Sequence, residues 1–128
     1  MSLEKILEKY YEIINQEKAE CEREVEFLIN DDRMDEANIA KIRLNVYDIM
    51  KTITKVPYET ACKGKEEEQA EILKKEYLRM NERIPGAWKA KLARAKEREE
   101  ADEILIEETK LEVATHLLEK FLEIIEQG

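Results

Sequence analysis

The feature that most constrains the fold is a seam of apolar residues between positions 39 and 56. Its spacing of three and four residues places every member on one face of an α-helix, as packing in a helical bundle requires. β-Branched residues are modest helix formers, so burial of this seam must hold the segment helical. The sequence therefore predicts a helix over residues 35–56. The seam consists of Ile39, Ile42, Val46, Ile49, Ile53 and Val56.

Helical apolar spacing also occurs elsewhere in the chain and predicts helices over residues 3–30, 66–84 and 86–127. Only three Gly and two Pro occur among 128 residues, which leaves few turns for a sheet. We therefore predict an all-α fold. It is a four-helix bundle-like domain over residues 1–128, with coiled-coil-like packing and a long C-terminal helix.

Two segments predict where helices end. Val56 precedes Pro57 and is pushed away from α geometry, so "PYETACKGK" is expected to be the longest loop. Residues 84–86, Ile-Pro-Gly, are expected to end the third helix, with Pro85 in the first turn of the fourth. Neither Gly nor Pro occurs from residue 87 to residue 127, which predicts one long helix there.

The C-terminal segment has an unusual order of charges. Residues 87–98 carry five cations and one carboxylate, whereas residues 99–126 carry ten carboxylates and two cations. In one continuous helix, about 60 Å long, this order opposes the helix macrodipole. An antiparallel partner helix in a homodimer would compensate, and so would the acidic residues 17–26 of the first helix. The polar stretch "KEREEADE" alternatively allows the helix to bend.

A seven-residue apolar repeat in the last helix predicts where two copies would meet. A two-fold axis repeats each contact, so one such stripe serves both subunits. We therefore expect a homodimer, and a further protein partner is compatible with the same surface. The buried positions at or near the subunit contact are expected to be Ile104, Leu111, Leu118 and Ile125.

The formal net charge of −9 disfavours general binding to nucleic acid or anionic lipid. No apolar run approaches the roughly 20 residues needed to span a bilayer, and the first residues lack the pattern of a signal peptide. The expected location is therefore the cytoplasm. Cys21 and Cys62 are expected to be reduced there.

The segment "NDDRMDEANIAK" is rich in carboxylates and raises the question of a metal site. A calcium loop of the EF-hand type needs Gly at its sixth position and Glu at its twelfth. Counting from Asp31, the sixth position holds Glu36 and the twelfth an isoleucine. We therefore predict a corner between two helices, with Asp32 as N-cap and Asp35 and Glu36 in the first turn.

The sequence contains no recognisable motif for a di-iron site, a phosphate-binding loop or a redox-active cysteine pair. A di-iron carboxylate site in a bundle needs two Glu-x-x-His motifs. The chain has one His, His116, and Glu112 precedes it by four positions instead of three. Three Gly and two separated Cys offer neither a Gly-rich phosphate loop nor a CxxC motif. We expect His116 on the surface and no cofactor.

The sequences EKAE, from Glu17 to Glu20, and NVYD, from Asn45 to Asp48, resemble a pair of motifs in the all-α nucleotide pyrophosphohydrolases of the MazG type. In that family a Glu-x-x-Glu and a later Glu-x-x-Asp hold Mg²⁺. The resemblance implies a Mg²⁺-dependent enzyme with Glu17, Glu20 and Asp48 on facing helices. Asn45 stands where the family has Glu, which removes one ligand.

The strong apolar patterning and the lack of a coherent catalytic set favour a protein that is not an enzyme. We expect a small cytoplasmic helical interaction or regulatory protein that self-associates. The alternative is the metal-dependent pyrophosphohydrolase, and it requires its three carboxylates to share a cleft.

Overall fold

The computed structural model describes residues 1–127, which form five α-helices and one short 3₁₀ helix, with no strand among them. Four long helices pack together, so the predicted all-α, bundle-like fold is confirmed. No helix within the described residues has the length and apolar character that crossing a membrane requires. The helices are α1 (Leu3–Asn30), α2 (Met34–Thr52), α3 (Lys55–Cys62), α4 (Gln69–Glu97) and α5 (Ala101–Gln127), with the 3₁₀ helix at Glu66–Glu68.

The core is centred on three aromatic side chains from three helices. Tyr10 of α1, Tyr77 of α4 and Phe121 of α5 are fully buried, and the rings of Tyr77 and Phe121 lie 3.9 Å apart. The hydroxyls of Tyr10 and Tyr77 hydrogen-bond each other, which satisfies polar atoms that are costly to bury alone. This cluster joins α1, α4 and α5, while α2 packs against α1 and α5 and α3 packs against α4.

The expectation of a long loop after α2 is wrong, because most of that segment forms α3. Pro57 lies in the first turn of α3, where a missing N–H has no intrahelical partner to lose. The junction is held by Thr54, whose hydroxyl donates to the Lys51 carbonyl at 2.6 Å and hydrogen-bonds the Tyr11 hydroxyl at 2.7 Å. The seam therefore ends earlier than predicted, and its last member, Val56, is 60% exposed.

The predicted helix end at Pro85 is also wrong, because α4 continues through it. Proline inside a helix removes the hydrogen bond to the carbonyl four residues back, here that of Asn81, at a typical cost of about 3 kcal/mol. Packing offsets this cost, since Tyr77, Pro85 and Trp88 are buried along the same helix. The buried Asn81 side chain also donates to the Tyr77 carbonyl at 2.9 Å. Tertiary contacts here override the local signal.

The predicted bounds of the last helix, residues 86–127, are wrong, because the chain reverses between α4 and α5. The reversal lies within the stretch "KEREEADE", where a bend was the alternative to a continuous helix. Glu99 has a φ of 56°, in the left-handed region. The N–H of Glu100 donates to the Ala95 carbonyl at 3.0 Å, and the N–H of Glu99 donates to the Lys96 carbonyl at 3.3 Å. These two bonds define a Schellman motif, which usually has Gly at the left-handed position. That Gly is absent here, and the polar stretch "KEREEADE" is the sequence's signal of the break.

The corner between α1 and α2 has the same geometry. Asp32 has a φ of 56°, and the N–H of Arg33 donates to the Leu28 carbonyl at 2.9 Å. Asp32 therefore closes α1, and the expectation that it caps α2 is wrong, since the N-cap position is Arg33. Asp35 and Glu36 do lie in the first turn of α2, as predicted.

The break between α4 and α5 also accounts for the order of charges. The cations at residues 89–98 lie toward the C-terminal end of α4, while Asp102 and Glu103 lie in the first turn of α5. The macrodipole favours cations at a helix C-terminus and anions at an N-terminus. The two helix ends that meet at the break therefore carry favourable charges, whereas the last turn of α5 has no basic residue.

Candidate functional site

The apolar seam of α2 divides between the core and the surface. Val46 and Ile53 are buried, whereas Ile39 and Ile42 are only partly buried. Ala37 and Ala40 occupy the side of α2 that faces α1. Ile39 and Ile42 therefore lie away from the contact between these two helices. The buried cluster between α1 and α2 consists of Val25, Leu28, Ala37 and Ala40.

Ile39 and Ile42 line a groove of about 810 Å³, whose walls are α1, α2 and the beginning of α5. We call it the acidic groove. Its apolar lining residues are Leu28, Ile39, Ile42, Leu105 and Ile106. Its polar lining residues are Glu24, Asp35, Glu36, Asn38, Arg43 and Asp102.

The acidic groove carries an excess of negative charge. Four carboxylates line it against one cation, Arg43. Arg43 lies 3.5 Å from Glu24, and Glu36 pairs with an arginine of the α1–α2 corner. Asp35 and Asp102 have no cationic nitrogen within 4.0 Å among residues 1–127. These two carboxylates stand on different walls, one on α2 and the other on α5.

Exposed apolar side chains occur at and near this groove. Leu105, in its lining, is 51% exposed. Phe27, Ile29 and Met34 of the α1–α2 corner are also exposed, and Leu28 of the same corner lines the groove. Exposed apolar surface bordered by polar residues is typical of an interaction site.

The three carboxylates of the pyrophosphohydrolase resemblance do not line one cleft. Glu17 and Glu20 line a cavity of about 310 Å³. Asp48 is not among the residues that line this cavity, and its Oδ1 accepts a hydrogen bond from Lys18 Nζ at 2.7 Å. Within residues 1–127, no group of three His, Cys, Asp or Glu side chains is placed to hold a metal ion.

Glu17 instead links three helices. Its Oε1 accepts a hydrogen bond from the Tyr47 hydroxyl of α2 at 3.3 Å, and its Oε2 lies 2.9 Å from Nε2 of His116 on α5. Burial, and then the Glu17 carboxylate, raise the pKa of Tyr47 well above its ordinary value. Tyr47 therefore stays a hydrogen-bond donor at neutral pH. Both oxygens of Glu17 are engaged, which is the arrangement of a structural contact between helices.

Both cysteines are free thiols. Cys21 is buried, and its thiol donates to the Ala40 carbonyl at 3.3 Å. Burial raises the pKa of this thiol, so it is protonated and unreactive near neutral pH. Cys62 is exposed on the last residue of α3.

The four predicted interface residues lie beside the core. Leu111, Leu118 and Ile125 are partly buried and pack against the core cluster, and Ile104 is also partly buried. Leu111 and Leu118 line a second cavity of about 350 Å³ between α4 and α5. The fully buried apolar stripe of α5 is an adjacent one, formed by Val113, Ala114, Leu117, Phe121 and Ile124. A subunit contact at the predicted residues stays a prediction.

A buried ion pair lies in the first half of α5. The Glu107 side chain has no exposed surface, and Lys110 Nζ lies 2.9 Å from its Oε2 and donates to its Oε1 at 3.2 Å. Lys110 also lies over the Trp88 ring of α4, 5.5 Å from its centroid. Within the described residues, Oε2 accepts no well-oriented hydrogen bond. Lys110 is thus the group that compensates the buried charge of Glu107.

No protein-family model matches the chain, and neither a curated protein nor a solved structure is similar enough to match it. Its function therefore has to be inferred from its own surface and interior.

Sequence reasoning missed the residues that form the acidic groove. Helical spacing assigns Ile39 and Ile42 to a buried seam, because periodicity does not distinguish a covered face from an open one. Leu105 lies outside the seven-residue repeat and drew no prediction. The run Ile104-Leu105-Ile106 could have indicated an exposed apolar residue, since three consecutive residues cannot all lie on one buried face of a helix.

Proposed function

We propose that this chain is a small helical interaction protein that binds another protein at the acidic groove and carries out no catalytic step. The observation that carries the proposal is the open apolar lining of that groove, which joins exposed Leu105 to Ile39 and Ile42. The part of these side chains that remains in contact with water gains nothing from folding. Covering them with a partner would bury apolar area and favour association.

The shape of the groove supports this proposal. It is bounded by helices on both sides and is open to solvent, which is the form that accepts an amphipathic helix of a partner. The first turns of α2 and α5, which contribute Asp35 and Asp102, stand on its two sides. An apolar centre flanked by charged groups is the usual composition of a protein interface.

Two further expectations belong to this proposal. A cytoplasmic location stays a prediction from the sequence. Homodimerisation through Ile104, Leu111, Leu118 and Ile125 also stays a prediction, and two of its original reasons are weaker. The final helix is shorter than expected, and the charges on either side of the break suit the helix ends on which they lie. The acidic groove, and not this stripe, is therefore the surface on which the proposal rests.

Site-specific photocrosslinking tests the proposal. Leu105 is replaced by a benzophenone amino acid in the full chain, which is expressed in the cells the protein comes from. The matched control carries the same photoreactive group at Val56, which is similarly exposed but lies on α3 and does not line the groove. We expect one defined protein to be crosslinked from position 105 and not from position 56. If both positions yield the same products, or none, the groove is not a binding surface.

The pyrophosphohydrolase alternative has its own test. Binding to the native state alone raises the melting temperature, so Mg²⁺ plus a nucleoside triphosphate should stabilise such an enzyme. Our proposal expects no change in melting temperature and no release of pyrophosphate. A rise in melting temperature that is lost in Glu17→Gln would instead support the enzyme.

A further inference from the structure

We infer that the occupant of the acidic groove is a cationic amphipathic helix of a different protein. This inference rests on the proposed function and adds the chemistry of the partner. It follows from three properties of the groove: its charge, its length, and the mismatch between it and a second copy of this chain.

The charge of the groove selects a cationic partner. Asp35 on α2 and Asp102 on α5 lack an ion-pair partner among residues 1–127, and they stand on either side of the apolar lining. A helix laid between these walls would place its apolar face on Ile42 and Leu105. Lys or Arg residues along its two edges would then meet the two carboxylates. Such complementary charge fixes the register of a partner and raises its association rate.

The length of the groove sets the length of the contact. Its α2 wall runs from Asp35 to Arg43, which corresponds to roughly 12 Å, or about two helical turns. A guest helix that spans this length presents apolar residues at positions i, i+3 or i+4, and i+7. The partner segment is therefore expected to be short, with two or three apolar anchors.

A second copy of the chain fits the groove poorly. A two-fold contact through this surface would bring two copies of the same patch together, each with four carboxylates and one cation, so net negative charge would meet net negative charge. The cationic end of α4 could approach instead, but its apolar residues Trp88 and Ala95 are buried within their own bundle. That end therefore presents charge without an apolar face, and the lining of the groove would stay exposed.

Peptide binding to the full chain tests the inference. The probe is a fluorescent Leu/Lys peptide of about 18 residues, long enough to be helical when bound, with leucines confined to one helical face. One control has the same composition but a shuffled order without an apolar face, and the other replaces every Lys by Glu. We expect saturable binding of the first peptide that weakens as salt rises. Binding to the shuffled or Glu peptide should be at least tenfold weaker.

Variants locate the binding. Leu105→Ser should weaken binding of the Leu/Lys peptide about tenfold, whereas Val56→Ser, similarly exposed but outside the groove, should leave it unchanged. The pair Asp35→Asn and Asp102→Asn should weaken binding about five- to tenfold at low salt. The matched pair is Glu66→Gln and Glu67→Gln, exposed carboxylates in the first turn of the 3₁₀ helix, and it should have no effect.

Several results would overturn the inference. Failure of the Leu/Lys peptide to bind, or equal binding by the shuffled peptide, removes the amphipathic cationic helix as the occupant. If crosslinking from position 105 nevertheless captures a partner, the proposed function stands and only the partner class is wrong. A dimer in light scattering that Leu105→Ser dissociates would assign the groove to a second copy and would equally overturn the inference.

Discussion

Removing the ammonium of Lys110 should destabilise the bundle far more than removing an ordinary surface charge. In Lys110→Met the apolar stem is kept, but Glu107, which has no exposed surface, loses its compensating cation. Breaking a fully buried ion pair by deleting one partner costs about 3–5 kcal/mol. The Lys110 side chain is 23% exposed, so water screens part of this interaction. Discounting for that exposure, we expect a loss of about 2–3 kcal/mol.

Chemical unfolding followed by far-UV circular dichroism measures this loss as a shift of the urea midpoint at unchanged slope. The matched control is Lys120→Met, because Lys120 also pairs with a glutamate three residues away, Glu123. The side chains of this pair are 39% and 58% exposed, so neither carboxylate nor ammonium is buried. The control should change stability by less than about 0.5 kcal/mol. If both variants behave alike, Glu107 does not depend on Lys110. A double change to Glu107→Leu and Lys110→Met should restore stability, because an apolar pair of similar volume needs no compensation.

Three further measurements address other parts of the fold. Glu99→Gly should raise the free energy of unfolding, measured with urea, by about 0.5–1 kcal/mol, since Gly removes the strain of a left-handed φ. Asp32→Gly should gain less, because Asp tolerates that region better than Glu; equal gains would contradict this reasoning. Burial raises the pKa of Tyr77 to about 12, so stability should be level below about pH 10, and Tyr77 alone should contribute a loss of roughly 2–3 kcal/mol as the pH rises from about 10 through 12. Burial also raises the pKa of Tyr10 and Tyr47, which adds to this loss. A variant with Tyr10→Phe and Tyr77→Phe should lose less over the same range. Leu111→Asp should lower the free energy of unfolding by about 2 kcal/mol, because a charge then replaces a side chain packed against the core. Light scattering of the same variant tests the predicted homodimer, and an unchanged melting temperature and mass would refute both expectations.

Sequence periodicity predicted the helical class because it reflects burial along each segment. The heptad-like positions Ile14, Cys21 and Leu28 of α1 are buried, and the corner after α1 lies where the carboxylate-rich segment is. Helix ends were harder to predict, because Gly and Pro were taken as the residues that mark them. Pro85 is accommodated within α4, and the true break at Glu99 uses a residue that rarely adopts its conformation. In both cases long-range packing decides the outcome.

The candidate site was less accessible than the fold for a related reason. A groove forms where helices diverge, and the spacing of residues along one helix carries no information about the distance to the next. Ile42 and Ile53 belong to the same seam, yet one lines a surface groove and the other is buried. The contact between Glu17 and His116 joins residues that are far apart in the chain, so it too was invisible in the sequence.

The break at Glu99 and the acidic groove are physically connected. The left-handed turn reverses the chain, and Asp102, Leu105 and Ile106 follow it at once as the α5 wall of the groove. In one continuous helix without the break, these residues would extend away along the axis of α4 and could not face α2. The cations before the turn and the carboxylates after it stabilise the two helix ends that meet there. The same charge order therefore favours the reversal and supplies to the groove Asp102, which has no ion-pair partner among residues 1–127.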